Sequence, residues 1–305
     1  MSVHRNILAV AALAFVGWGT SGCGRAHDRA TTQRSGILFS GNWETGNISQ
    51  WGGAQCANTG VPYDTYAQRG TINIVTDVVA QGRYAARFDL PASEEKPSAC
   101  EALRGRTLNL NGDDWYALDV RFPSDWREPS RAFSGMSLAQ FDYQGLAGAP
   151  VGLAAHGDHV NLVTEGGPCG PNRVGTNFCL DGTGNDLEGE GPLGHIMLRI
   201  VPVGTHLAGT WEQFIVHIHH AADSSGLVQG WWRPLGGTWT HTIQFSGYPT
   251  VQWKVGESPP TASKEAVGET VDKIGAYRGP SNFPISIWQD GFCDATSFSA
   301  AASCL

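Results

Sequence analysis

The sequence predicts an all-β sandwich, and three observations predict it. Forty glycines and sixteen prolines supply turn residues along the chain. No long stretch carries a helical apolar period, and short runs rich in β-branched and aromatic residues alternate apolar with polar side chains. In chain order these runs are TINIVTD from Thr71, YAARFDL from Tyr84, WYALDVRF from Trp115, SLAQFDYQ from Ser137, VGLAAHG from Val151 and HVNLVTE from His159. They continue with HIMLRIVPV from His195, EQFIVHIHH from Glu212, LVQGWWR from Leu227, HTIQFSG from His241, KIGAYRG from Lys273 and ISIWQDGF from Ile285. Successive side chains on a strand point to opposite faces. WYALDVRF thus sets Tyr116, Leu118, Val120 and Phe122 against Trp115, Ala117, Asp119 and Arg121, and EQFIVHIHH sets Phe214, Val216 and Ile218 against Gln213, Ile215, His217 and His219. ADSSG then turns the chain into LVQGWWR, completing a hairpin. Gly166 to Gly194, glycine-rich and acidic, reads as a long surface loop.

The first residues give an address. MSVHRN, the short apolar run ILAVAALAFVGWG and TSGC have the three-part form of an export signal. Its small residues end at Cys23, as in a lipoprotein-type signal of residues 1–23 whose cysteine is lipidated; plain secretion with cleavage nearby is the other reading. Residues 24–35 read as a flexible tether and residues 36–305 as one domain, expected to be monomeric. Of seven cysteines, six remain after Cys23, an even set suited to an oxidising compartment. Proximity favours Cys169 with Cys179 and Cys293 with Cys304, leaving Cys56 with Cys100. With no CxxC pair, a zinc site is not expected. A net charge of −8 argues against nucleic acid as a partner, so an anionic ligand would need a local cationic surface.

KIGAYRG carries the most chemistry. Lys273, Gly275 and Tyr277 share one strand face, while Ile274 and Ala276 point toward a core. A cation and a phenol flank a glycine that leaves room for a ligand, an arrangement suited to binding an acidic polymer and moving a proton; an ordinary strand with two exposed polar residues is the competing reading.

With FSGNWETGNISQW from Phe39, DWYALDVRFPSDW, LAQFDYQ, GTWEQFIVHIHH, KIGAYRG and ISIWQDGF in order, the chain resembles polysaccharide lyases of the heparin lyase I and glucuronan lyase type. The resemblance implies a concanavalin-like β-jelly roll with a concave groove, an acidic polysaccharide as partner, and cleavage by β-elimination. That reaction needs a base for the C5 proton of a uronic acid, an acid for the departing oxygen, and cations or donors to neutralise the adjacent carboxylate. The resemblance places Gln140 at the carboxylate; Tyr277, beside Lys273 and Arg278, fits the acid or base, and Gln140, Lys273 and Tyr277 are expected to converge in one groove. Two residues after Gln140, where many relatives carry a histidine base, stands Asp142. Either Tyr277 does both jobs, a histidine from another strand (His156, His217 or His219) substitutes, or the site is inactive. Arg104 and Arg106 stand where relatives carry an arginine-x-glutamate pair and are expected to clamp a carboxylate, unless they pair with Glu101 or a surface acid. Trp231, sharing its face with Gln229 and Arg233, is expected to stack on a sugar ring, with Trp232 toward the core. Glu44 and Asp290 resemble a pair that binds structural calcium in this fold.

Two other function classes stand beside the lyase. A non-catalytic carbohydrate-binding lipoprotein accounts for Asp142. A glycoside hydrolase would need paired carboxylates, for which Asp186, Glu188 and Glu190 alternate in a glycine-rich loop.

Overall fold

The computed structural model describes residues 36–59, 67–127, 135–143, 149–171, 177–179, 196–254, 256–261 and 269–305. The signal with Cys23, the tether and the acidic run with Asp186, Glu188 and Glu190 lie outside the described residues. Two large sheets, mostly antiparallel, form a jelly-roll sandwich. In the first, β16 (Thr240–Ser246), β15 (Leu227–Pro234), β14 (Trp211–His219), β7 (Asp113–Arg121), β19 (Ile285–Ala295), β5 (Ala85–Leu90) and β4 (Thr71–Val75) follow in that order, with β1 (Ile37–Gly41) also on β19. In the second, the order is β13 (Ile196–Arg199), β10 (His159–Thr164), β9 (Val151–His156), β8 (Met136–Tyr143), β18 (Glu269–Arg278), β6 (Ser98–Thr107) and β2 (Gly53–Ala54), with β3 (Gln68–Arg69) also on β6. A small third sheet of β12 (Asn177–Cys179), β11 (Gly167–Pro171) and β17 (Gln252–Lys254) replaces part of the expected loop. Its antiparallel register sets Cys169 opposite Cys179; their side chains lie outside the description.

Alternation decides which face each strand buries. Leu118 and Val120 of β7, with Phe214, Val216 and Ile218 of β14, meet Leu138 and Phe141 of β8, Leu153 of β9, Val160 and Leu162 of β10 and Ile274 and Ala276 of β18, all buried in one core. Trp43 stacks on Trp51 at 5.2 Å inside it. Cys56 is bonded to Cys100 and Cys293 to Cys304, as expected from the sequence. The second bond pins a short helix, α1 (Phe298–Ala302), which the apolar pattern did not announce. Ser297 caps it by accepting from the Ala300 N–H. It covers Ala117, Ile215 and Cys293 on the outer face of the first sheet.

One cross-sheet contact shapes the site. The registers of β8 and β18 slip between Ser137 and Ala139 and between Ile274 and Tyr277. Gln289, buried on β19 of the opposite sheet, donates Nε2 to the Leu138 carbonyl at 2.8 Å and the Gly275 carbonyl at 3.0 Å. An amide from across the core thereby satisfies backbone acceptors of the irregular segments.

Candidate functional site

The outer face of the second sheet collects three of the expected residues. Lys273 is the register partner of Gln140, and Tyr277 of Ser137, so these four half-buried side chains sit on two adjacent strands facing away from the core. On the other side of β18, Glu101 lies opposite Gly275, between Lys273 and Tyr277. The Gln140 Nε2 donates to Glu101 Oε1 at 3.2 Å and approaches Ser137 Oγ at 3.4 Å. Burial pushes the Glu101 carboxyl up, and the Lys273 charge partly offsets this. Glu101 was not singled out from sequence as part of this site. Its signal lay in the neighbouring Cys100, whose disulfide fixes the inward face of β6 and turns Glu101 outward. His156 shares this outer face further along the sheet: Ser137 pairs with Ala154 on β9, and the His156 ring lies 5.5 Å from that of His159.

The remaining expected residues are placed elsewhere. Asp142 does not follow Gln140 outward. Its backbone takes φ of 55°, a left-handed conformation that breaks the two-residue alternation. The side chain is fully buried, where its Oδ1 meets Arg106 Nε at 3.3 Å and its Oδ2 accepts from the Tyr116 hydroxyl at 3.2 Å. Arg104 and Arg106 also point inward, spent on acids of the interior rather than on Glu101 or a ligand. Arg104 pairs with Asp294 at 2.9 Å and Asp272 at 3.4 Å. Arg106 pairs with Asp114 at 2.6 Å and donates to Tyr116. Arg278 is fully buried, donating Nη2 to the Pro91 and Phe283 carbonyls.

His217, His219 and Trp231 face outward, but on the first sheet. His217 bonds Asp113 at 2.8 Å and Gln229 at 2.8 Å and stacks on Trp115 at 4.1 Å. His219 bonds the same Asp113 at 3.1 Å. Trp231 stacks on His241 and packs against Phe298 of α1. None of the three shares a face with Tyr277. Trp232 turns toward the core, as expected, with its Nε1 donating to Glu212 at 2.7 Å.

The interior around Arg106 is a polar cluster between the sheets. Asp114, Asp142 and His220 bring one ligand atom each within 4.8 Å of one another and could hold a metal ion by spacing. Arg106 already fills part of that space. Burial opposes charge on His220, but Asp142 and the bond to Asp114 outweigh it and raise its pKa, so protonation of the ring competes with any metal. Burial, reinforced by Asp142, pushes Asp272 up to about 8.

Glu44 and Asp290 converge on one turn. Glu44 Oε1 accepts the N–H groups of Arg83 and Tyr84, and Asp290 Oδ2 those of Ala80 and Gln81. Burial pushes Asp290 up to about 7, with the Glu44 charge adding to it. Asp119, its register partner on β7, is pushed by burial to about 8 and keeps Oδ2 buried without a hydrogen-bond partner among the described residues.

Residues 43–292 match the family model described as "Polysaccharide lyase". Among solved structures, an endo-β-1,4-glucuronan lyase from the fungus Trichoderma reesei is similar at 15% identity and a TM-score of 0.52, over 82% of this chain and 96% of that one. The cellulose-induced protein Cip1 is similar at 13% identity and a TM-score of 0.47, over 85% and 97%. A marine alginate lyase from Aplysia kurodai is similar at 10% identity and a TM-score of 0.45, over 74% and 87%. No curated protein matches the chain in sequence.

Proposed function

The chain belongs to the polysaccharide lyase family, and from that premise we propose that it is an exported enzyme cleaving a uronate-containing polysaccharide by β-elimination. The observation that carries this reading is the shared outer face of Gln140, Lys273 and Tyr277 on β8 and β18. Lys273 and the Gln140 amide offset the charge that builds on the sugar carboxylate as the C5 proton leaves. The C4–O bond then breaks, its electrons pass to the glycosidic oxygen, that oxygen takes a proton, and a C4–C5 double bond forms. Tyr277 moves the proton at one or both steps. With Asp142 turned inward, no histidine takes the position two residues after Gln140. Incubation with glucuronan, alginate, heparin and heparan sulfate, followed by ultraviolet absorbance of unsaturated uronates, tests the proposal. New reducing ends without absorbance would make the protein a hydrolase, and binding without either product a carbohydrate-binding lipoprotein. The inward Asp142 favours the latter among the alternatives. The two described disulfides support export, and lipidation at Cys23 is read by mass spectrometry of the mature chain.

Glu101 sets the charge of this face. Ionised, it repels the substrate carboxylate; protonated, it does not. KM for the cleaved polymer is therefore expected to climb as pH rises through the Glu101 titration, and Glu101→Gln is expected to flatten that climb without lowering Tm at the alkaline end, where the buried charge it removes is unfavourable. An unchanged pH profile of KM in the variant would remove Glu101 from the site.

The turn at Ala80–Tyr84 supports structural calcium. Glu44 and Asp290 offer only hard oxygen donors, the chemistry calcium takes. Without the ion, Asp290 has a raised folded-state pKa. Its contribution to stability is full below about 4 and is lost as pH rises through about 7, on the order of 2–4 kcal/mol. Calcium is accordingly expected to raise Tm more at pH 7.5 than at pH 5, and Asp290→Asn to abolish the difference. Equal shifts at both pH values in wild type and variant would sink the assignment.

A further inference from the structure

A second cationic site lies on the other sheet. A cavity of about 320 Å³ opens where β7 runs into the turn after it and β19 emerges from the turn before it, lined by Arg121, Ser124, Asp125, Arg127, Phe283 and Trp288 among others. Arg121 lies over the Trp288 ring at 5.5 Å and Arg127 over the Phe283 ring at 3.8 Å. A guanidinium held over a ring face by cation–π attraction still has N–H donors to offer a planar, two-oxygen acceptor. Among the described residues, neither arginine has an ion-pair partner within 4 Å. A second arginine over Phe283 adds to the field: Arg278 lies 5.0 Å from the ring centroid, fully buried, with Nε and Nη1 lacking a hydrogen-bond partner among the described residues. Burial, with the nearby Arg127 charge adding to it, lowers the Arg278 pKa to about 10.

Two arginines over Phe283 and a third over Trp288 stand out on a chain of net charge −8. The cavity is sized for a sugar ring, and Ser124 and Asp125 offer partners for hydroxyls. The Gly279–Pro284 turn joins it to the end of β18 that bears Tyr277. We propose that this cavity is an anchoring site for one carboxylate-bearing sugar unit of an acidic polysaccharide, separate from the Gln140–Lys273–Tyr277 face. Arg121 and Arg127 grip the carboxylate, and the site holds polymer without taking part in bond cleavage. The choice of a uronate as ligand rests on the proposed function; the site itself rests on the arginines.

Calorimetric titration of tetraglucuronate into the whole protein tests the site without using turnover. The Arg121→Gln/Arg127→Gln protein is expected to lose one class of binding site, weakening it about tenfold or more, with Tm unchanged. Lys273→Ala is expected to lose the other class and keep this one. Binding that the double arginine variant leaves unaltered, including no binding in either protein, overturns the proposal. Loss in the arginine variant with no effect of Lys273→Ala upholds this cavity and removes Lys273 from the substrate face. A heparin tetrasaccharide that binds the cavity more tightly than tetraglucuronate overturns the assignment to a carboxylate.

Discussion

Replacing Tyr277 by phenylalanine is expected to lower kcat on the cleaved polymer by about a thousandfold, the usual contribution of a positioned proton-transfer group being about 10²–10⁴. The variant removes one oxygen from a half-exposed side chain on the outer face of β18. The ring stays, so Tm and polymer affinity are expected to hold. The measurement is the rate of ultraviolet absorbance rise at saturating polymer, alongside a binding isotherm. Lys273→Ala is the companion: losing the cation is expected to reduce both affinity and kcat, because it acts on the carboxylate before and during proton loss. A Tyr277→Phe protein that turns over at the wild-type rate would leave the outer face with a binding role alone.

Arg106→Leu is expected to produce the largest loss of stability, about 3–5 kcal/mol, because it strands buried carboxylates that the guanidinium now pairs. Asp114 at 2.6 Å, Asp142 at 3.3 Å and Asp294 at 3.6 Å all lose this shared cation at once, and among the described residues only Asp294 keeps an arginine, Arg104 at 2.9 Å. In a domain of this size the fall in Tm should reach about 10 °C or more. The remaining folded molecules are expected to keep their KM, since Arg106 faces the interior. Thermal melts combined with kinetics at low temperature check both halves. A variant with raised KM and unchanged Tm would restore Arg106 to the substrate clamp expected from its sequence position.

Much of the architecture could be read from residue order alone, because burial on a sandwich repeats every second residue. Tyr116, Leu118 and Val120, or Phe214, Val216 and Ile218, declare their inner face by their own apolarity, and Lys273 and Tyr277 were found by the same count. The count says nothing about which sheet an outer face belongs to. His217, His219 and Trp231 were read correctly as lying off the core, yet they decorate the sheet opposite Tyr277. Arg104, Arg106 and Arg278 were lost for another reason. Charge ordinarily marks an exposed face, and only the pairing of distant strands reveals the aspartates, from β7, β8, β18 and β19, that hold Arg104 and Arg106 inside. Glu101 was hidden by the reverse case, a carboxylate kept nearly water-free on the outer side of its sheet.

The twist of the backbone at Asp142 bears on enzyme redesign. With φ of 55° at this position, the side chain here points into the interior and not along the face of Gln140. Writing histidine back into this gene would deliver an imidazole to Arg106, Tyr116 and His220, not to a sugar. Recovering a base at this point requires first remaking the path of the main chain from Phe141 to Tyr143. A single codon therefore does not place a base beside Gln140, and the proposed reaction draws on what β6 and β18 already offer.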